Sequence, residues 1–374
     1  MKVAFFIGSL NRGGTEMLTL DICRNKDYAP FEMILVYRNE GELTEEFKVT
    51  DVPAFRIKPK GLKFGYFGRL RKLIKQEKVD IVHAQTLTNG VIAIFVSLFT
   101  HIKVVVSFHG FFYSTLMVLY RHFIMWNVDA MVFVSQFVRD WYVKNSLGCP
   151  KANCNVVYNG INFDKFQMQY EEPDFLRDNR FRKPDNIRFV MVGNFVSGRS
   201  QMVVCKSLKI LKDKGIRNLD FYFVGKRVEN EANLYDDCVK YCTDNDLQEF
   251  VHFVGSRGDI PSVLQHVDGF VYSTNCDTFG IAVIEALASG LPVLVNDWPV
   301  MREVIGAERL AVRYFMSDNV QDCANKMVDL ISQIKDKPDE LKADCLKMAQ
   351  KVCQTYSIEN HINHLTRIYQ CLER

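Results

Sequence analysis

The sequence predicts an α/β protein of two domains, each a parallel sheet with helices on both faces. Three observations carry this. Short β-rich apolar runs alternate with stretches of helical period along almost all 374 residues, and such alternation implies parallel sheets. The runs are continuously apolar, as in KVAFFIG at 2–8 and KVVVSFHG at 103–110, which fits strands covered on both faces. The rhythm breaks over 166–186, a charged segment with two prolines, and this reads as a linker between domains.

In the first domain, 1–165, strands are expected at 2–8, 33–38, 54–58, 80–85, 103–110, 130–135 and 155–160. Helices are expected from about Glu16 to Arg24, from GELTEEFK onward, and at 65–78, 88–99, 113–127 and 136–147. In the second domain, 187–357, strands at 187–194, 219–225, 250–255, 269–273 and 292–297 alternate with helices at 199–213, 231–245, 260–266 and 280–289. Helices at 318–335, 338–355 and 359–373 complete the chain. In open parallel sheets ligands bind beyond the carboxyl ends of the strands. With two such domains, the cleft between them is the expected site.

Composition narrows the function classes. The chain is 48% hydrophobic and 24% charged, an ordinary globular balance that excludes a disordered, collagenous or coiled-coil protein. The net charge of +3 gives no support to nucleic-acid wrapping. It averages a first half, 1–185, at +6 and a second half at −3, so the first half is the one to meet an anionic surface. Eleven cysteines lack any CxxC pair, the closest being Cys149/Cys154 and Cys238/Cys242. This reads as reduced thiols in a cytosolic protein rather than a zinc site. The apolar start stops at Gly8 and does not read as a signal peptide. The most apolar stretch, 90–108, is broken by Thr100, His101 and Lys103, which makes a poor membrane span.

The segment 268–297, DGFVYSTNCDTFGIAVIEALASGLPVLVND, carries the strongest chemical signal. A helix starting near Gly280 would hold Glu285 just past its first turn, with Asp277 in the loop before it. The amino end of that helix offers free N–H groups and a positive dipole to a phosphate, and two carboxylates there can accept hydrogen bonds from sugar and ribose hydroxyls. The pattern S..CDTFGIAVIEALASGLPV resembles the signature of the retaining nucleotide-sugar glycosyltransferases of family four, which have the glycosyltransferase-B fold of two Rossmann-like domains. Asp277 stands where that E-x7-E signature has its first Glu, and Glu285 is the second.

The resemblance implies roles residue by residue. Glu285 binds the donor ribose. Asp277 and the backbone of Thr278, Phe279, Gly280 and Ile281 hold donor-sugar hydroxyls and the diphosphate. The loop GGTE at 13–16 matches the family's GG.E, with Gly13 and Gly14 allowing close backbone approach. His109 ends a strand and hydrogen-bonds the donor sugar. In VGNFVSGRS at 192–200, Asn194 stands at the family's Arg position and Arg199 at its Lys position, so the diphosphate charge falls to Arg199, with Lys206 or Arg227 assisting. Backbone groups near Gly255 and Arg257 frame the nucleobase. His83, at another strand end, either supports the site or lines the acceptor cleft. YNGIN..KF at 158–166 matches an interdomain stretch.

The resemblance also implies a metal-independent enzyme and a last helix, about 359–374, that packs back on the first domain. Asp244-Asn245-Asp246 is the one D-x-D pattern, and it sits in turn composition. Residues 56–78 hold nine Lys/Arg and one Glu interleaved with Phe64, Tyr66, Phe67, Leu70 and Ile74. This is either a solvated helix packing its apolar stripe or an interfacial helix on anionic lipid. The combined expectation is a cytoplasmic transferase, peripheral at the inner membrane face. It moves a hexosyl or N-acetylhexosaminyl group from a nucleoside-diphosphate sugar, taken as a UDP-sugar, to a glycan, lipid-linked or small-molecule hydroxyl. The rivals are a nucleotide-sugar epimerase on the same fold and a non-catalytic sugar-nucleotide-binding protein.

Overall fold

The computed structural model describes residues 1–59, 63–111, 114–146, 153–177, 186–306 and 310–373. The chain divides into two compact units, Met1–Asn162 with Tyr356–Arg374, and Phe163–Thr355.

The first unit is built on a seven-stranded parallel sheet. Its strands are β1 (Lys2–Phe6), β2 (Glu32–Tyr37), β3 (Ala54–Arg56), β4 (Ile81–Ala84), β5 (Lys103–Phe108), β6 (Ala130–Phe133) and β7 (Cys154–Val156). Their order, β3-β2-β1-β4-β5-β6-β7, puts the topological switch between β1 and β4. The connecting helices are α1 (Gly14–Arg24), α2 (Thr44–Lys48), α3 (Lys63–Gln76), α4 (Leu87–Ser97), α5 (Thr115–Asn127) and α6 (Gln136–Lys144). Thr86 and Ser135 cap α4 and α6 by accepting from the N–H groups of Asn89 and Val138, the standard use of a short hydroxyl there. The last helix, α16 (Ile358–Glu373), belongs to this unit. Its Ile358, Ile362, Leu365 and Tyr369, at helical spacing, join Val3, Phe5, Leu35 and Ile81 in one core.

The second unit holds a six-stranded parallel sheet of β8 (Ile187–Val192), β9 (Leu219–Val224), β10 (Val251–Gly255), β11 (Gly269–Tyr272), β12 (Val293–Asn296) and β13 (Val312–Phe315), ordered β10-β9-β8-β11-β12-β13. Here the switch lies between β8 and β11. Its helices are α7 (Asp164–Gln167), α8 (Asp174–Arg177), α9 (Gln201–Asp213), α10 (Ala232–Asp244), α11 (Ile260–Gln265), α12 (Ile281–Ala288), α13 (Pro299–Ile305), α14 (Val320–Asp336) and α15 (Pro338–Thr355).

Two expectations change. Residues 166–177, read as linker, pack within the second unit. Tyr170 N donates to Gln265, Ser262 to the Glu171 carbonyl, and Arg188 to Glu172. Their charges form ion pairs, Glu171 with Arg177, Glu172 with Arg188 and Asp174 with Arg257. Residues 178–185 of that stretch lie outside the described residues. The helix α13 and the edge strand β13 had no reading at all, because VRYF is short and carries an arginine.

No helix among the described residues is long and apolar enough to cross a membrane. Cys238 and Cys242, one turn apart on α10, are buried and free, as is Cys205 on α9, whose thiol burial pushes well up. Cys149 lies outside the described residues.

Candidate active site

In the second unit two loops meet at the carboxyl ends of β8 and β11. They are zipped together by backbone. Ser200 N donates to Ser273 O and Asn275 N to Gly198 O, both at 3.0 Å, and Thr274 Oγ1 donates to Gly198 O at 2.7 Å. Asn296, at the end of β12, holds the same loop from the other side. Its Oδ1 accepts from Thr274 N and its Nδ2 donates to Thr274 O and Ser317 Oγ. Gly280 then turns the chain into α12 with φ +84°, and a Cβ there would sit 2.6 Å from Met301 Cε. Only glycine meets both conditions without strain.

The loop carries Asp277 inward. Its carboxylate is 9% exposed. Oδ2 accepts from Arg199 Nη1 at 2.6 Å and from the Tyr272 hydroxyl at 2.5 Å, and Oδ1 accepts from Thr278 N at 2.9 Å. Trp298 Nε1 donates to the Asp277 carbonyl. Burial pushes the Asp277 carboxyl up, but the Arg199 guanidinium and these hydrogen bonds outweigh it and hold the group below its usual range. Burial pushes the Tyr272 hydroxyl well up, so it stays a donor. Asp is one methylene shorter than Glu, and here three of the carboxylate's acceptor positions go to its own neighbours.

Arg199 remains a candidate for an anion. It lies over the Tyr272 ring at 5.0 Å, and among the described residues its hydrogen bonds are made through Nη1. A guanidinium fork can hold an anion in bidentate fashion. The assisting cations read from sequence do not join it. Arg227 forms a bidentate pair with Asp236, and Lys206 is exposed on α9. Asn194 serves the fold, since its Oδ1 accepts from Lys226 N at 2.9 Å.

Glu285 sits on α12, 15% exposed, with Lys165 Nζ 3.6 Å from Oε1. It is the signature carboxylate that still reaches the surface of the site. Phe279 is buried and Ile281 opens α12. Gly255 ends β10 with φ +81°. The expected nucleobase contact of Arg257 is through its backbone, and its side chain serves the fold. It pairs with Asp259 and Asp174 and lies over Phe175, pinning α8 to the sheet. Asp244 pairs with Lys240, and Asp246 lies near Lys212, as turn residues do.

In the first unit His109 follows β5, and its Nε2 lies 2.9 Å from Gln85 Oε1. Burial, with His361 nearby, lowers its pKa to about 4. The ring is thus a neutral hydrogen-bonding group at physiological pH. Gly13 precedes α1 and accepts from Met17 N through its carbonyl, and Gly14 opens the helix. The acceptor reading of His83 is corrected. His83 is 1% exposed, with Nδ1 2.6 Å from the Tyr369 hydroxyl and Nε2 2.8 Å from Ser107 Oγ, so it ties α16 to the sheet.

Sequence reasoning missed several residues. Arg38, just past β2, donates to Asn89 at 3.3 Å while its Nε is buried without a partner. Gln85 and Asn296 stand at strand ends, where the strand-end rule would have flagged them. Tyr272 and Trp298 carried no pattern, and Lys165 stood in YNGIN..KF without a role.

Comparison with known proteins agrees with this geometry. Residues 12–165 match the family described as Glycosyltransferase Family 4, and residues 173–352 match Glycosyl transferases group 1. The chain therefore belongs to the glycosyltransferases of family four, with the glycosyltransferase-B fold. A UDP-Gal:alpha-D-GlcNAc-diphosphoundecaprenol alpha-1,3-galactosyltransferase of Escherichia coli is 26% identical over 239 residues, covering 61% of this chain and 60% of that relative, less than two thirds of its length. A glycosyltransferase structure from Rickettsia africae ESF-5 superposes with a TM-score of 0.85 at 18% identity, covering 100% of this chain and 98% of that one. Anabaena HepE in complex with UDP-glucose gives 0.84 at 16% identity, covering 100% and 99%.

Proposed function

We propose that this protein is a retaining glycosyltransferase that moves a hexosyl or N-acetylhexosaminyl group from a UDP-sugar to a hydroxyl of a lipid-linked glycan, at the cytoplasmic face of a membrane. The observation that carries the reading is the loop 274–280. It delivers Glu285 on α12 and fixes Arg199 through Asp277. Glu285 takes the ribose hydroxyls. Arg199 and the amino end of α12 meet the charge that develops on the departing diphosphate, and the reaction proceeds without a metal ion. His109, neutral, accepts from or donates to a sugar hydroxyl. For the retained configuration that the family resemblance implies, the acceptor oxygen attacks from the face the diphosphate leaves, and its proton passes to the leaving phosphate oxygen. The lipid-linked acceptor is supported by the specificity for which the E. coli relative is named.

The test incubates the protein with UDP-sugars and an undecaprenyl-diphosphate-linked sugar and measures UDP release, with product anomer read by NMR. Transfer with retained anomeric configuration, unaffected by EDTA, is expected. Loss of turnover in EDTA or an inverted anomer would sink the mechanism. A product sugar nucleotide formed without acceptor would make it an epimerase. Asn194 favours one rival, because its side chain is committed to Lys226 N and removes one diphosphate cation. Tight UDP-sugar binding with no turnover on any acceptor would assign the binding role instead.

A further inference from the structure

Arg38 follows β2 and reaches across the end of the first unit's sheet. Its backbone N–H and that of Asn39 donate to the Gly8 carbonyl just past β1, both at 3.2 Å. Its side chain runs by the same glycine, where a Cβ would stand 3.7 Å from Nη2. The guanidinium then meets α4, which follows β4, and Nη2 donates to Asn89 Oδ1 at 3.3 Å. In the strand order β2-β1-β4 this path crosses the topological switch at the carboxyl edge, where open parallel sheets take ligands.

The cation is left incomplete there. Its Nε is shut off from water without a hydrogen-bond partner, and no carboxylate among the described residues pairs with it. Glu40 is taken by Arg56, and Glu46 by Arg12 and Arg24. Between residues 52 and 128 the sole acids are Glu77 and Asp80, and both contact Lys2 at the opposite, amino end of β1. Taking a guanidinium out of water is costly unless an opposite charge and filled hydrogen bonds offset it. Arg121, whose Nε also lacks a partner, is explained by its packing. It donates to the Asn145 carbonyl at 2.6 Å and lies over the Trp141 and Tyr142 rings. Arg38 has no such ring among the described residues. Its neighbours are neutral. Asn89 is 3% exposed, and its Nδ2 donates to the Phe6 carbonyl, which sets the amide oxygen toward Arg38. Helix α3 packs Leu70 and Ile74 into the unit and brings up Tyr66. Burial pushes the Tyr66 hydroxyl up, against the field of Arg38 and Arg69, so it stays a donor.

We propose that Arg38, held in place by Asn89, binds a phosphate oxyanion, the diphosphate of the acceptor, and so selects acceptors that carry one. A phosphate supplies the missing opposite charge, which a neutral sugar does not, and the planar fork matches two of its oxygens at once. Arg199 and Glu285 belong to the second unit and Arg38 to the first, so the donor and acceptor diphosphates are given different cations. The inference rests on the lipid-linked acceptor reading, in which a diphosphate joins the acceptor sugar to its lipid, but its test reads binding apart from turnover.

The full chain is saturated with UDP, which occupies the donor site, and titrated by calorimetry with N-acetylglucosamine linked through diphosphate to a short prenyl chain. The methyl glycoside of the same sugar is titrated in parallel. The wild type should prefer the diphosphate compound, and Arg38→Met should weaken its binding about 10- to 100-fold, the range of a lost hydrogen bond to a charged group. Arg38→Lys should recover part of the loss, since it restores the charge without the fork. The melting temperature of the free Arg38→Met protein should equal or exceed that of the wild type, because an uncompensated charge has left the fold. Its shift by UDP-sugar should match the wild type. In turnover, KM for the diphosphate acceptor should rise by the factor seen in binding, with KM for the donor unchanged. Equal affinity of wild type and Arg38→Met for the diphosphate compound, or no affinity of either, overturns the proposal. So does a lower melting temperature in Arg38→Met, which would make the cation structural, and so does a lost response to UDP-sugar, which would assign it to the donor. Arg38-dependent binding without transfer from any UDP-sugar would overturn the transferase reading alone.

Discussion

Arg199 and Asp277 form a 2.6 Å ion pair between the loop after β8 and the loop before α12. The carboxylate that the signature would aim at the donor sugar here pairs with the cation proposed to meet the diphosphate. Asp277→Asn removes the charge but keeps the shape. It should lower stability by about 1–3 kcal/mol, because a largely buried arginine loses its counter-charge, and should lower kcat through a misplaced Arg199. Chemical unfolding and UDP-release kinetics measure both. An unchanged kcat would deny Asp277 its positioning role.

Glu285→Ala should leave the fold intact and reduce donor affinity by about 10- to 100-fold, the range of a lost hydrogen bond to a charged group. The shift in melting temperature on adding UDP-sugar reads this directly. A shift equal to that of the wild type would remove Glu285 from the donor site.

Gly280→Ala should destabilise by about 1–3 kcal/mol, from a non-glycine residue held at positive φ and from the 2.6 Å approach of Met301 Cε. Denaturant midpoints provide the measure. Donor binding should fall with it, because the turn sets where α12 begins.

Tyr369→Phe should cost about 1–2 kcal/mol by leaving the His83 ring nitrogen without its partner in the core. If His83 held the acceptor instead, the substitution would change KM for acceptor and not the melting temperature.

Acid should destabilise the first unit before carboxylates titrate. Burial lowers His109 and His361 to about 4, and lowers His83 too. The unfolded rings take up protons below about 6.5, so stability present at pH 7 is lost as pH falls from 6.5 toward 4, by about 1–3 kcal/mol per buried ring. Melting temperatures across that range, compared with His361→Asn, test the sign. A flat profile would show that the rings charge freely in the fold.

Much of this was legible in one dimension. Continuous apolar runs alternating with helical period fix parallel sheets, because both faces of each strand must be covered and each crossover needs a helix. Gly280 and Glu285 could be placed because the backbone turn and the helix register are local properties. Arg199 was placed by the loop that carries it.

The sequence by itself determined most of the elements, the family and the Gly280 turn into α12, since these depend on neighbours a few positions away. Tertiary structure alone decided partners. It gave Asp277 to Arg199 and Tyr272, His83 to Tyr369 286 residues away, and Arg257 to Asp174. It also turned Leu116, Leu119, Phe123 and Trp126 of α5 outward, a face that helical period alone reads as core. Whether a polar or apolar side chain meets a ligand or its own protein depends on contacts that long loops bring together. Charge and spacing along the chain do not encode those contacts.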